Sequence, residues 1–99
     1  MKDLDKIFQK NTELAWRIID NETVIIPLDE QTSDSEKINF LNETGTRIWK
    51  LIDGKNSIKD IVVRIVKEYE IDEKEAEKEV MDFVKKLQRK NLVKLGGER

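Results

Sequence analysis

Apolar and polar positions alternate in the first half of this chain and recur every three or four residues in the second. Leu14, Trp16 and Ile18 alternate with Ala15, Arg17 and Ile19, a period of two in β-branched and aromatic residues, which predicts a strand over Leu14–Ile19. Asp20-Asn21-Glu22 follows, with side chains that tolerate left-handed backbone angles, and Thr23–Leu28 then reads as a second strand pairing with the first as a hairpin. Pro27 has no N–H to give a ladder, so it belongs near a strand end or on an edge. Asp29–Ser35 is polar and has no apolar period, which predicts a loop. Glu36–Leu41 reads as a short third strand with Ile38 and Phe40 on one face; the alternative is irregular structure leading into a helix.

From Asn42 the period becomes helical. Asn42 is a good N-cap for a first helix running to Asp53, with Ile48, Trp49 and Ile52 as its apolar stripe and Gly54 where a left-handed C-cap is wanted. Trp49 is expected in the core, because large aromatics dominate burial in small domains. Ser57 and Asp60 make a near capping box for a second helix. Its stripe of Ile58, Ile61, Val62, Ile65, Val66 and Tyr69 would not fall on one face of a strand. Asp72 with Glu75 opens a third helix over Glu73–Lys90, whose buried face is Ala76, Val80, Phe83, Val84 and Leu87. Acids crowd its first turns and Lys85, Lys86, Arg89 and Lys90 its last, which complements the helix dipole at both ends. Leu92–Leu95 is expected to return to the body of the domain. These elements define an α+β domain shaped like a winged helix-turn-helix, a three-stranded antiparallel sheet followed by three helices. The core domain is expected over 14–95, with 1–13 as an N-terminal arm and 96–99 as a tail.

A length of 99 residues bounds the chain to one domain with one core and no room for a deep internal active site. Cysteine and histidine are absent, which removes disulfides, thiolate nucleophiles, the usual zinc sites, haem ligation and histidine acid–base catalysis. The carboxylates fall on solvent faces of helices, and Gly45 and Gly54 form no phosphate-binding pattern. The expectation is a protein that is not an enzyme and holds no cofactor or metal. Met1–Thr12 lacks the apolar run of a signal peptide and no stretch approaches the ~20 apolar residues of a membrane span, so a cytoplasmic location without membrane contact is expected. The glycosylation sequons Asn21-Glu22-Thr23 and Asn42-Glu43-Thr44 are then chance matches.

A winged-helix shape invites a DNA-binding regulator as one reading. The net charge of −2 gives no global pull toward nucleic acid. The start of the third helix sets five acids (Asp72, Glu73, Glu75, Glu77, Glu79) against Lys74 and Lys78, a local charge of −3 where a recognition helix needs cations. Peptide binding asks for less: an exposed strand edge and an apolar groove beside it. The third strand offers the edge and the third helix the wall. Met81 lies outside the helical stripe on the Val84 side, where it either widens the stripe into a groove or packs against the chain termini. The same edge would also suit a homodimerising scaffold, in which it pairs with its own copy.

Several of these residues carry a family resemblance. Leu41-Asn42-Glu43-Thr44-Gly45, then Ile48-Trp49, Asp53-Gly54, Ile58 and Ile61 resemble the PqqD family, as do Ala15-Trp16-Arg17 upstream and Val80, Phe83-Val84, Leu87 and Leu92-Val93 downstream. The resemblance spans residues 8 to 95. It implies a RiPP recognition element, a domain that binds the leader of a ribosomally made precursor peptide as an added strand between the third strand and the third helix. It implies a partner enzyme too, a radical SAM maturase with iron–sulfur clusters or a leader peptidase, to which any cofactor would belong. Carried onto this chain by element, the cleft comprises Lys37, Ile38, Asn39 and Phe40 on the strand; helical angles then select Val80, Met81, Val84, Lys85 and Gln88 on the helix. Two departures stand out: Asp29–Ser35 lacks the glycine-containing turn often seen there, and Asn91 stands where glycine is frequent.

Overall fold

The computed structural model describes residues 2–28 and 38–98. After a single 3-10 turn over Lys2–Asp5 come strands β1 (Lys6–Lys10), β2 (Leu14–Ile19), β3 (Glu22–Pro27) and β4 (Asn39–Leu41). Helices α1 (Glu43–Leu51), α2 (Ile58–Tyr69) and α3 (Glu73–Arg89) follow, and β5 (Val93–Glu98) closes the chain. Strands β2, β3 and β4 form an antiparallel sheet in that order; β1 and β5 form a separate two-stranded sheet. The α+β architecture is the expected one, a three-stranded antiparallel sheet followed by three helices.

The β2–β3 hairpin turns through Asp20 and Asn21, both at positive φ (51° and 67°), so Ile19 pairs directly with Glu22 and β3 starts one residue before the expected Thr23. Residues opposite each other across strands share a face. Thr23 and Ile25 of β3, with Leu41 of β4, therefore turn inward and are buried, while Val24 and its partner Phe40 turn outward. Of the expected third strand, the described part is only Asn39–Leu41, with Ile38 just before it.

Helix ends follow the side-chain chemistry. Asn42 Oδ1 accepts from Gly45 N–H at 2.8 Å, and Ser57 and Asp60 complete a reciprocal capping box. Asp72 accepts from Lys74 and Glu75 N–H. Helix α1 ends at Leu51, two residues short of Asp53, and its C-cap is Ile52. Gly54 does adopt positive φ (80°), but its N–H donates to Phe8 O, so the left-handed geometry seats the loop against β1 instead of capping the helix. Helix α3 ends in a Schellman motif: Asn91 at φ 61° donates to Gln88 O and Leu92 donates to Leu87 O.

The core is built from Ile58, Ile61, Val62 and Ile65 of α2, from Ala76, Val80, Val84 and Leu87 of α3, and from Ile48 and Trp49 of α1, packed on Ile25 and Leu41. Phe8, Leu92 and Val93 join it from the chain ends. Strand β1, in the segment read as an arm, thus pairs with β5, which starts in the expected return over Leu92–Leu95 and runs on into the segment read as a tail. Burial of Phe8 at 4% exposure explains why: one aromatic fastens a strand whose other residues are polar or half-buried and show no period-two signal.

Candidate functional site: an open strand edge beside the third helix

One edge of β4 pairs with β3; the other meets no strand among the described residues. Helix α3 lies beside it, and between them is a cleft of about 480 Å³, within the range of roughly 300–1,000 Å³ usual for binding sites. Asn39, Phe40 and Leu41 form the strand wall, and Asn42, Thr44 and Gly45 continue it into the start of α1. The buried side chains of Ile48, Ile65, Val80 and Leu87 make an apolar floor. Phe83 is half-buried in the helical wall, and Glu79, Lys86 and Lys90 line its outer part. Lys90 Nζ donates to Asn39 Oδ1 at 2.9 Å and spans one end of the cleft.

Local contacts set the width of this space. Thr23 and Thr46 share a buried hydroxyl hydrogen bond of 2.6 Å that pins β3 to α1. Gly45 faces the Phe83 ring so closely that a Cβ there would stand 3.1 Å from Phe83 Cζ. The ring can therefore lie against the backbone of α1's first turn.

Of the residues assigned to the site, Asn39, Phe40 and Val80 line the cleft. Ile38 sits half-buried just outside it, and Lys37 lies outside the described residues. Met81, Val84, Lys85 and Gln88 are not among the lining residues. Val84 is wholly buried, and Met81 packs half-buried against the core. Lys85 and Gln88 are exposed. The carboxyl of Asp3 is held below its ordinary value chiefly by its hydrogen bond with Lys6, and the charge of Lys85 adds a smaller pull.

The cause is angular. Measured from Val80 at about 100° per residue, Phe83, Leu87 and Lys90 lie on one flank of the stripe, and Met81, Lys85 and Gln88 on the other. The two flanks are nearly equivalent in sequence; packing turns the Phe83 flank toward β4. Phe83, Lys86, Leu87 and Lys90 are thus the wall residues that the helical angles alone did not select. A glycine at position 45 in the first turn of a helix, paired with an aromatic at the stripe's margin, is the signal that marks the flank.

Among the described residues no group of three or more carboxylates is placed to hold a metal ion, and no helix is long and apolar enough to cross a membrane.

The fold is a winged-helix-like α+β domain in which, among the described residues, a sheet edge that meets no further strand borders an apolar cleft, the geometry that strand addition of a peptide requires. The chain belongs to the PqqD family: the model of that family, coenzyme PQQ synthesis protein D, matches residues 16–93. A comparison with curated proteins returned no match. Among solved structures the chain is similar to TbiB1, determined in complex with the TbiA(beta) leader peptide. The two share 28% sequence identity with a TM-score of 0.74, over 92% of this chain and 98% of that one.

Proposed function

We propose that this protein is a non-catalytic RiPP recognition element. It captures the leader segment of a ribosomally made precursor peptide as a strand along β4 and presents it to a modifying enzyme. The observation that carries this reading is the open edge of β4 beside a cleft with an apolar floor: backbone N–H and C=O groups hold an extended peptide there, and its side chains fill the space toward α3. Membership of the PqqD family and the likeness to a protein solved with a leader peptide support it. The enzyme that receives the peptide is a radical SAM maturase or a leader peptidase, and any cofactor belongs to that enzyme.

The test is a titration of the isotope-labelled protein with the leader of a precursor peptide encoded beside its gene, followed by amide chemical shifts. Saturable shifts are expected at Asn39, Phe40 and Leu41 and at Phe83 and Leu87. A Phe83→Ala variant should bind less well, whereas Met81→Ala, on the opposite flank, should bind as the parent does. Shifts confined to the Met81 flank, or none at all in a folded protein, would overturn the reading.

A further inference from the structure

The helical wall of the cleft is electrically polar. Along the axis it passes from Glu79 through Phe83, Lys86 and Leu87 to Lys90. At the basic end, Asn39 Oδ1 holds the Lys90 ammonium at 2.9 Å. An ammonium has three donors, so this contact leaves it able to take a carboxylate as well. Neither Lys86 nor Lys90 forms an ion pair with a carboxylate among the described residues. The basic end of the cleft is thus Lys90, held beside β4, while Lys86 lines the wall between Phe83 and Leu87.

Resting on the leader-binding reading, we infer that the cleft selects leaders in which an apolar side chain is followed two residues later by an acidic one. The spacing comes from the two repeats that would lie side by side. From the midpoint of Phe83 and Leu87 to Lys90 is five helical residues, about 7.5 Å along the axis. Two residues of a strand span about 6.8 Å and put both side chains on the same face. An apolar side chain seated between Phe83 and Leu87 therefore brings the second following side chain to Lys90. The order follows from the sheet. Asn39 begins β4 and contacts Lys90 near the end of α3, whereas Gly45, after β4, contacts Phe83. A strand continuing the antiparallel sheet runs opposite to β4, from the Phe83 end toward the Lys90 end. Glu79 opposes the same acid at the other end, so the charge gradient also disfavours the reversed order.

Short synthetic peptides built of alternating strand-forming residues around one central leucine test this. Glutamate, glutamine or lysine is placed two residues after the leucine, and a reversed set has it two residues before. Amide shifts at Asn39, Phe40 and Leu41 report docking whatever the charge. The glutamate peptide is expected to bind about tenfold more tightly than the lysine peptide at low salt, with the difference shrinking as salt rises. Lys90→Glu should reverse that preference, and Lys90→Gln should abolish most of it. Equal binding of all three peptides at β4, or a preference unchanged in Lys90→Glu, overturns the charge selection and leaves strand addition standing. Failure of every peptide to shift β4 in a folded protein overturns both.

Discussion

Gly45 marks where a single hydrogen atom matters. In the first turn of α1 an alanine would normally gain about 0.5–1 kcal/mol of helix stability over glycine. Here its Cβ would meet Phe83 Cζ at 3.1 Å and Asn42 Oδ1 at 3.2 Å, so the ring must give way by a few tenths of an ångström. Gly45→Ala should therefore change stability by no more than about 1 kcal/mol, the two effects opposing one another. It should also weaken peptide binding by moving Phe83; denaturant melts and a binding titration on the same variant separate the two outcomes. Arg47 and Glu68 make a second residue-scale feature. Arg47 donates to both Glu68 oxygens at 2.7 Å, and that hydrogen bond holds the Glu68 carboxyl below its ordinary value of 4.5. A lowered carboxylate contributes stability that is fully present above the unfolded value and is lost as pH falls through the folded one. With both side chains about one-third exposed, the contribution is at most about 1 kcal/mol. Glu68→Gln should be less stable than the parent by up to that amount at neutral pH, and urea unfolding of the two should converge as pH falls below 4.5 and through the lowered Glu68 value.

At the scale of elements, the helices stand on their caps. Ser57 Oγ accepts from Asp60 N–H at 3.1 Å, and the Asp60 carboxylate accepts from Ser57 N–H at 2.9 Å. Ser57→Ala removes one half of this exchange and should cost about 1 kcal/mol of stability in a thermal or urea melt. Neither Ser57 nor Asp60 lines the cleft, so the loss should fall on global stability and leave peptide affinity per folded molecule unchanged. The three-residue β4 shows the opposite relation between element and neighbours. A strand that short has little stability of its own. It is held by pairing to β3, by burial of Leu41, and by the turn into α1 at Asn42. The strand edge on which the proposed function depends is therefore a product of its surroundings.

For the whole molecule, the chain ends close the core. Phe8 is buried among the helices, Lys10 Nζ donates to Ile52 O at 2.7 Å, and Asn11 N–H donates to Leu92 O at 3.0 Å. Lys10 also stands over two aromatic rings, 5.3 Å from Trp16 and 5.1 Å from Trp49, whose own centroids are 5.8 Å apart edge to face. Burial lowers its pKa, while the cation–π contacts and the bond to Ile52 compensate for the lost hydration. Phe8→Ala should cost about 3–5 kcal/mol. That is a large fraction of the ~5–15 kcal/mol that holds a domain together, so calorimetry should show a sharply lowered melting temperature. The same variant should change tryptophan fluorescence, since Lys10 sits two residues along the same strand.

Much of this protein is written locally. Periods of two and of about 3.6, the caps at Asn42, Ser57 and Asp72, and the left-handed pair Asp20-Asn21 determine the hairpin, the three helices and most of the core, because each depends on residues a few positions apart. The pairing of β1 with β5 and the choice between the two flanks of α3 were not legible in that way. A strand with one buried residue carries no periodic signal, and two flanks on either side of a stripe differ only in what packs against them. Tertiary packing alone turned Phe83, Lys86 and Lys90 toward β4 and left Met81 and Lys85 on the other side. The physical reason is that a helix's sequence specifies which face is buried, whereas the neighbour met by each margin of that face depends on contacts made across the whole chain.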